Sequence, residues 1–282
     1  MTNLLPPIQP RVALATHLLL PLGSGFAGRV AAYAGAQWLD LDYAAHLVAP
    51  RLRMPPDHKG WAPNALWLPA EGTRGPIDQA LRGRFVGGQG SLAPLLIVDA
   101  PWNLADAPSA LRALFPFTQA VERAGVGRSV AVGLRARHLS GGRRHLTQLT
   151  LLRHIVEEWG LDIALDLTGP FDPQWEAEAA VLRMGPRLVL VRAGAAAVAA
   201  SPVDRGRVAK RALRAAIEQQ PRLCVSLAPD VPWWQAASPT ALGRAWSDSA
   251  RRLAALMPGH RFTIAPPFPA SPRPTRGPFP PR

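Results

Sequence analysis

Short apolar runs rich in Val, Ile and Leu return again and again along this chain, and most are followed by a stretch of helical spacing. Eight such runs stand out as candidate strands: "VALATHLLL" from Val12, "QWLDLD" from Gln37, "PLLIVD" from Pro94, "SVAVGLR" from Ser129, "DIALDL" from Asp162, "RLVLVR" from Arg187, "RLCVSLA" from Arg222 and "RFTIA" from Arg261. Candidate helices lie between them at Leu111 to Ala124, Leu146 to Trp159, Glu176 to Met184, Val208 to Gln219 and Thr240 to Leu256. In the second of these, Leu149, Leu152, Ile155, Val156 and Trp159 share one face, while Arg153, Glu157 and Glu158 share the other. That is the pattern of a helix laid on a sheet. Strands that are apolar on both faces imply a parallel sheet covered by helices, and eight βα units favour closure. The chain is therefore expected to fold as a single (β/α)8 TIM barrel.

The rhythm breaks once, across residues 43–93, where "ALWLP" is a possible ninth strand and leaves the strand numbering open. Residues 1–11 read as a lead-in, 12–265 as the barrel and 266–282 as a tail. The tail, "PPFPASPRPTRGPFPPR", holds eight prolines in seventeen residues, so neither helix nor central strand suits it. Disorder, or a polyproline II path along the surface, is expected there.

A chain of 282 residues, 48% of them hydrophobic, is long enough to bury one full core. Its net charge of +13 raises nucleic acid as a partner, but the basic residues are scattered and nearly all Arg, alongside abundant Ala, Gly and Pro. That composition points to coding bias rather than to a phosphate-binding footprint. The single cysteine, Cys224, excludes an internal disulfide and a cysteine-based zinc site, and a reducing cytoplasm is the simplest setting. The opening "MTNLLPPIQPR" lacks the basic start and apolar run of a signal peptide, and no apolar run near it is long enough to span a bilayer. No membrane association is expected, and the oligomeric state is not readable.

In a βα barrel, reactive groups sit where strands end and the following loops begin. The polar residues falling there are Asp40, Asp42 and His46, then Asp99, then Arg135, Arg137 and His138, then Asp166 and Thr168, then Arg192, and finally Asp230. Aspartates on several strand ends suit a hard cation, and equally suit helix capping or pairing with the nearby arginines. Trp102, Trp175, Trp233 and Trp234 fall in loops after strands, where their rings can face a small polyhydroxylated molecule or merely cover the barrel mouth. Arg135 and Arg192, with "SGGRR" at Ser140 to Arg144, are candidates to hold a phosphate or carboxylate.

Two other chemistries are disfavoured. "GSGFAG", Gly23 to Gly28, matches the dinucleotide-binding pattern, but only fourteen residues separate Gly28 from Asp42, short of the usual interval of about 20. No serine or cysteine stands in a nucleophile context, and the seven histidines are scattered.

The run "HLTQLTLLRHIVEEWGLDIALDLTG" resembles the helix-four to strand-five segment of the xylose-isomerase-like barrels, the sugar phosphate isomerase/epimerase superfamily. "AAYAGAQWLDLDY" is similar to that family's helix-one to strand-two segment, and "LIVDAPWNLAD" to its strand-three end. The resemblance implies a site at the C-terminal mouth and a divalent metal held by Glu, Asp and His. It places Asp166 where the family has a metal-binding Glu. The next strand, "LVLVRAG", offers neither carboxylate nor histidine, and all seven glutamates fall in helices or loops. The family's metal is thus expected, yet its ligands are largely missing, and no residue is assigned to metal.

The resulting expectation is a divergent sugar isomerase or epimerase that acts on, or binds, a small sugar-like or anionic molecule. Asp166 and Asp230 are the catalytic candidates; Arg135, Arg192, Trp102, Trp233 and His138 are the binding candidates. The alternative is a catalytically inactive barrel with a binding or structural role. Nucleic-acid processing, known in the same superfamily, would need metals this chain is poorly equipped to hold.

Overall fold

The computed structural model describes residues 11–16, 24–42, 62–69, 95–99, 129–135, 143–169, 175–200, 202, 204–220, 223–257 and 262. Its centre is a closed parallel barrel of eight strands in sequence order. They are β1 (Arg11–Ala15), β2 (Trp38–Asp42), β3 (Ala62–Pro69), β4 (Leu95–Asp99), β5 (Ser129–Arg135), β6 (Asp162–Asp166), β7 (Leu188–Gly194) and β8 (Cys224–Ala228). Pairing of β8 with β1, Ser226 opposite Ala13, closes the ring. The described helices are α1 (Ser24–Ala34), α2 (Arg143–Glu158), α3 (Ala177–Met184), α4 (Asp204–Gln219) and α5 (Pro239–Leu256). None of them is long and apolar enough to cross a membrane.

The open question about "ALWLP" resolves as a correction to the strand numbering. That run belongs to β3, a full barrel strand, and the ring closes without "RFTIA". The reason β3 reads poorly is visible in its ladder. Proline stands at Pro63 and Pro69, and the pairing with β2 slips between Leu39 and Asp40, so that Leu39 faces Pro63 while Asp40 faces Ala65. The irregularity absorbs Asn64, whose amide donates to Cys224 Sγ at 3.0 Å. A proline missing its N–H is tolerated at such strand ends and bulges, but it masks a strand in the sequence. Every strand after β3 therefore stands one place later than its order among the sequence runs.

Strand alternation sorts the side chains into two cores. Outward residues such as Leu14, Leu39, Leu66, Leu96, Val132, Leu165, Val191 and Leu227 pack under the helices with Leu149, Leu152 and Val156 of α2. Inward residues are mostly small: Ala13, Ala65, Ala131 and Ala164, with Ile97, Leu190 and Trp67 among them. Small residues are needed because two large side chains, Trp67 and Arg192, fill the interior. At Gly133 the interior is close-packed, since a Cβ there would meet Trp67 Cζ3 at 2.8 Å and Ile97 Cγ2 at 3.0 Å.

The last helix fastens the ring. Ser238 caps α5 by accepting from the Ala241 amide, ahead of Pro239 in the first turn. From α5, Trp246 reaches inward to donate to the Ala13 carbonyl at 3.3 Å, and Ser247 donates to Ala34 in α1. Gly243 lets α5 lie against α1, because a Cβ there would be 2.6 Å from Tyr33 Cβ.

The 43–93 excursion is described only at β3. The tail 266–282 and the expected helix at Leu111 to Ala124 lie outside the described residues.

Candidate functional site

Because all strands run parallel, their C-terminal ends share one rim. Asp42, Asp99 and Asp166 are the last residues of β2, β4 and β6, and Asp230 lies two residues beyond β8. With the strand numbering corrected, the four aspartates fall on alternate strands. At the rim, Arg135 of β5 is opposite Asp166, and Asp166 is opposite Arg192 of β7. Asp166 thus stands in register between two arginines.

Asp166 is buried and held on both sides. Its Oδ1 accepts from the Thr168 amide at 2.9 Å and the Thr168 hydroxyl at 2.6 Å. Its Oδ2 lies 3.7 Å from Arg192 Nη1. The sequence "DLTG" explains the first contact: an Asp two residues before a Thr, at the point where the strand stops, closes a local side-chain turn.

Arg192, with no exposed surface, points into the barrel. Its Nε donates to Asp40 Oδ2 at 3.0 Å, and its guanidinium carbon lies 4.1 Å from the centre of the Trp67 ring. Desolvating a guanidinium costs several kcal/mol, and the losses are recovered only where charge partners and ring contacts are well placed. Here two carboxylates and an indole face converge on it. Asp40, also fully buried, makes no hydrogen bond of good geometry through Oδ1, although Ser226 and Trp67 lie close enough to favour its ionised form. Burial is the stronger effect and pushes the Asp40 carboxyl above its ordinary value, against the pull of the Arg192 charge, the Arg192 hydrogen bond, Ser226 and Trp67. Asp40 itself is positioned through its backbone, whose carbonyl accepts from both the amide and the hydroxyl of Thr16.

The structure therefore brings together three of the candidate residues, Asp166, Arg135 and Arg192. Arg135 is partly exposed at the rim, whereas Arg192 is sealed below it. Asp230 is exposed in the turn after β8. Trp233 opens a short 3-10 turn in the same connection, beside Trp234, which is exposed. Trp175 is buried, in keeping with packing rather than ligand contact. Trp102 and His138 lie outside the described residues. Gly25 and Gly28 sit inside α1 rather than in a loop, which removes the dinucleotide outline.

The sequence reading noted Asp40 but gave it no role in the site, and it missed Trp67 and Ser226. A signal was present. Asp40 in "WLDLD" and Arg192 in "LVLVRAG" are opposite charges flanked by apolar residues in two different strands, and buried charges of opposite sign need one another.

A divalent metal does not fit this arrangement. Among the described residues no three His, Cys, Asp or Glu side chains gather as a ligand set. The oxygens of Asp166 are committed to Thr168 and to the Arg192 side, and the space between the two buried carboxylates holds a guanidinium.

No protein-family model matches the chain, and no curated protein matches it. Among solved structures it is similar to a xylose isomerase-like TIM barrel/4-hydroxyphenylpyruvate dioxygenase fusion protein, at 13% identity and a TM-score of 0.42, over 89% of this chain and 43% of that one. It is similar to the carboxyl transferase domain of Rhizobium etli pyruvate carboxylase at 11% identity and a TM-score of 0.46, over 88% and 48%. A third likeness is to 3-hexulose-6-phosphate synthase, at 12% identity and a TM-score of 0.40, over 86% and 99%. The chain spans less than half the length of the first two. The (β/α)8 assignment rests on the closed parallel sheet itself, not on these likenesses.

Proposed function

We propose that the barrel binds a small sugar-like or anionic molecule at its C-terminal mouth, as a divergent sugar isomerase or epimerase of the xylose-isomerase-like kind. The observation that carries this reading is the register Arg135, Asp166, Arg192 at the rim, with Arg135 partly open to solvent. Arg135 is the group placed to meet a phosphate or carboxylate, since a guanidinium engages such anions in paired hydrogen bonds. Arg192 acts from beneath, holding Asp166 in place. An isomerase or epimerase that works by proton transfer removes a proton beside a carbonyl and returns it, and Asp166 is the oriented carboxylate for that step, with Asp230 as the second candidate. Trp233, Trp102 and His138 remain the other binding candidates.

A second reading, a catalytically inactive barrel, is favoured by one specific fact: both oxygens of Asp166 are already engaged. Two measurements separate the readings. A panel of sugar phosphates and sugar acids should raise the melting temperature of the wild-type protein, and Arg135→Met should abolish the shift while leaving the unliganded melting temperature within a few degrees. Incubating the panel with the protein in D2O should then exchange a carbon-bound proton if the barrel is catalytic, and should exchange none if it only binds. Absence of any shift with the wild-type protein rejects the ligand-binding reading altogether.

A further inference from the structure

The interior of the barrel, below the proposed ligand position, contains a charge arrangement that the mouth does not explain. Two carboxylates, Asp40 from β2 and Asp166 from β6, reach one guanidinium from different sides of the ring, at 3.0 Å and 3.7 Å. Trp67 from β3 covers the guanidinium with its ring, and Gly133 and Ala65 make space for that ring. None of these three charged side chains reaches appreciable solvent. A pair of buried carboxylates is unstable alone; it takes up protons, a metal ion or a fixed organic cation. Only the last is built into this chain.

We propose that Arg192 is the resident cation of the barrel, standing between Asp40 and Asp166 where a divalent ion would otherwise be held, and that this carboxylate pair is independent of metal. The seat is built for a planar cation rather than a sphere. Nε lies 3.0 Å from one carboxylate and Nη1 3.7 Å from the other, while the guanidinium carbon sits 4.1 Å from the centre of an indole ring, and a compact ammonium or a hydrated metal ion is poorly matched to all three at once. Ser226, opposite Arg192 on β8, adds a hydroxyl on the Asp40 side. The proposal stands whether or not the mouth binds a sugar.

The test compares variants at position 192 with and without manganese. Wild-type protein should show the same melting temperature in EDTA and in millimolar Mn2+. Arg192→Gly, which removes the guanidinium and leaves room for an ion with its waters, should melt roughly 5 °C or more below wild type and gain stability on addition of Mn2+. That gain should vanish in the double variant Asp40→Asn/Arg192→Gly. Should Arg192→Gly fail to fold, Arg192→Lys and Arg192→Gln decide the matter. Lys keeps a cation and should be the more stable of the two at neutral pH, and both should converge as acid neutralises the carboxylates.

Two results would overturn the proposal. One is stoichiometric Mn2+ binding by the wild-type protein that is lost in both Asp40→Asn and Asp166→Asn. The other is a Lys variant no more stable than the Gln variant. Manganese that binds the wild type and persists in those Asn variants sits elsewhere and leaves the pair metal-free.

Discussion

Asp40 is a residue whose protonation should be visible in the stability of the protein. Its carboxyl is raised from a reference value of 3.8 by burial, with Arg192, Ser226 and Trp67 acting in the opposite direction. The native state therefore holds the proton to higher pH than the unfolded state does. Stability from this group is fully present below pH 3.8 and is lost as pH rises through the native value. Asp162, at the other end of the barrel strands, contributes in the same sense, since burial raises it more than Arg187 lowers it. Asp40→Asn removes one titrating group without changing shape. Its unfolding free energy should consequently fall less than that of wild type as pH rises from 3.8 through the native value. Denaturant melts at a series of pH values measure this directly, and parallel curves for the two proteins would contradict it. Arg192 keeps Asp166 in the variant, so folding should survive the change.

At the scale of elements, the tightest approach is between α1 and α5. Gly243→Ala would place a methyl 2.6 Å from Tyr33 Cβ and 2.9 Å from the Ala34 amide nitrogen. Neither neighbour is the far end of a flexible side chain, so the helices must part. A loss of about 1–3 kcal/mol is expected, with a matching fall in denaturation midpoint and an unchanged m-value. Alanine at an exposed helix position, as in Arg244→Ala, should cost nothing comparable.

Which elements could be read in advance follows from how purely each pattern was written. β6 between Asp162 and Asp166, β7 from Leu188 to Val191, and β8 on either side of Ser226 are apolar on both faces; all three were legible, as were α2, α4 and α5 with their one-sided apolar faces. β3 was obscured by Pro63, Asn64 and Pro69, which a bulge and a strand end accommodate but a pattern cannot. In the site, Asp166 and Arg192 were found as strand-end charges. The second carboxylate partner of Arg192, Asp40, was not connected to them, because β2 lies far from β7 in sequence and register across a closed ring is set by the shear of the whole barrel. The resemblance to the xylose-isomerase-like segments shares this limit: it assigned "DIALDLTG" to a fifth strand, and in the ring it is the sixth.

For the whole molecule, closure makes the ends of the described chain interdependent. β1 pairs with β8 on one side and β2 on the other, and α5 reinforces the join through Trp246 to Ala13 and Ser247 to Ala34. A chain ending at residue 237 retains all eight strands yet loses α5 and the inner contact of α1. It should lack a cooperative thermal transition and a native near-ultraviolet dichroism spectrum, whereas a barrel able to close by strand pairing alone would retain both.

The indole of Trp67 also has an optical meaning. It is 1% exposed, has a guanidinium carbon 4.1 Å from its ring centre and lies close to Asp40. An aromatic chromophore in so dry a setting feels the local field without dilution by solvent. Gain or loss of a proton at Asp40 should therefore shift the colour of light that this tryptophan emits, and the difference spectrum between wild type and Trp67→Phe would report it.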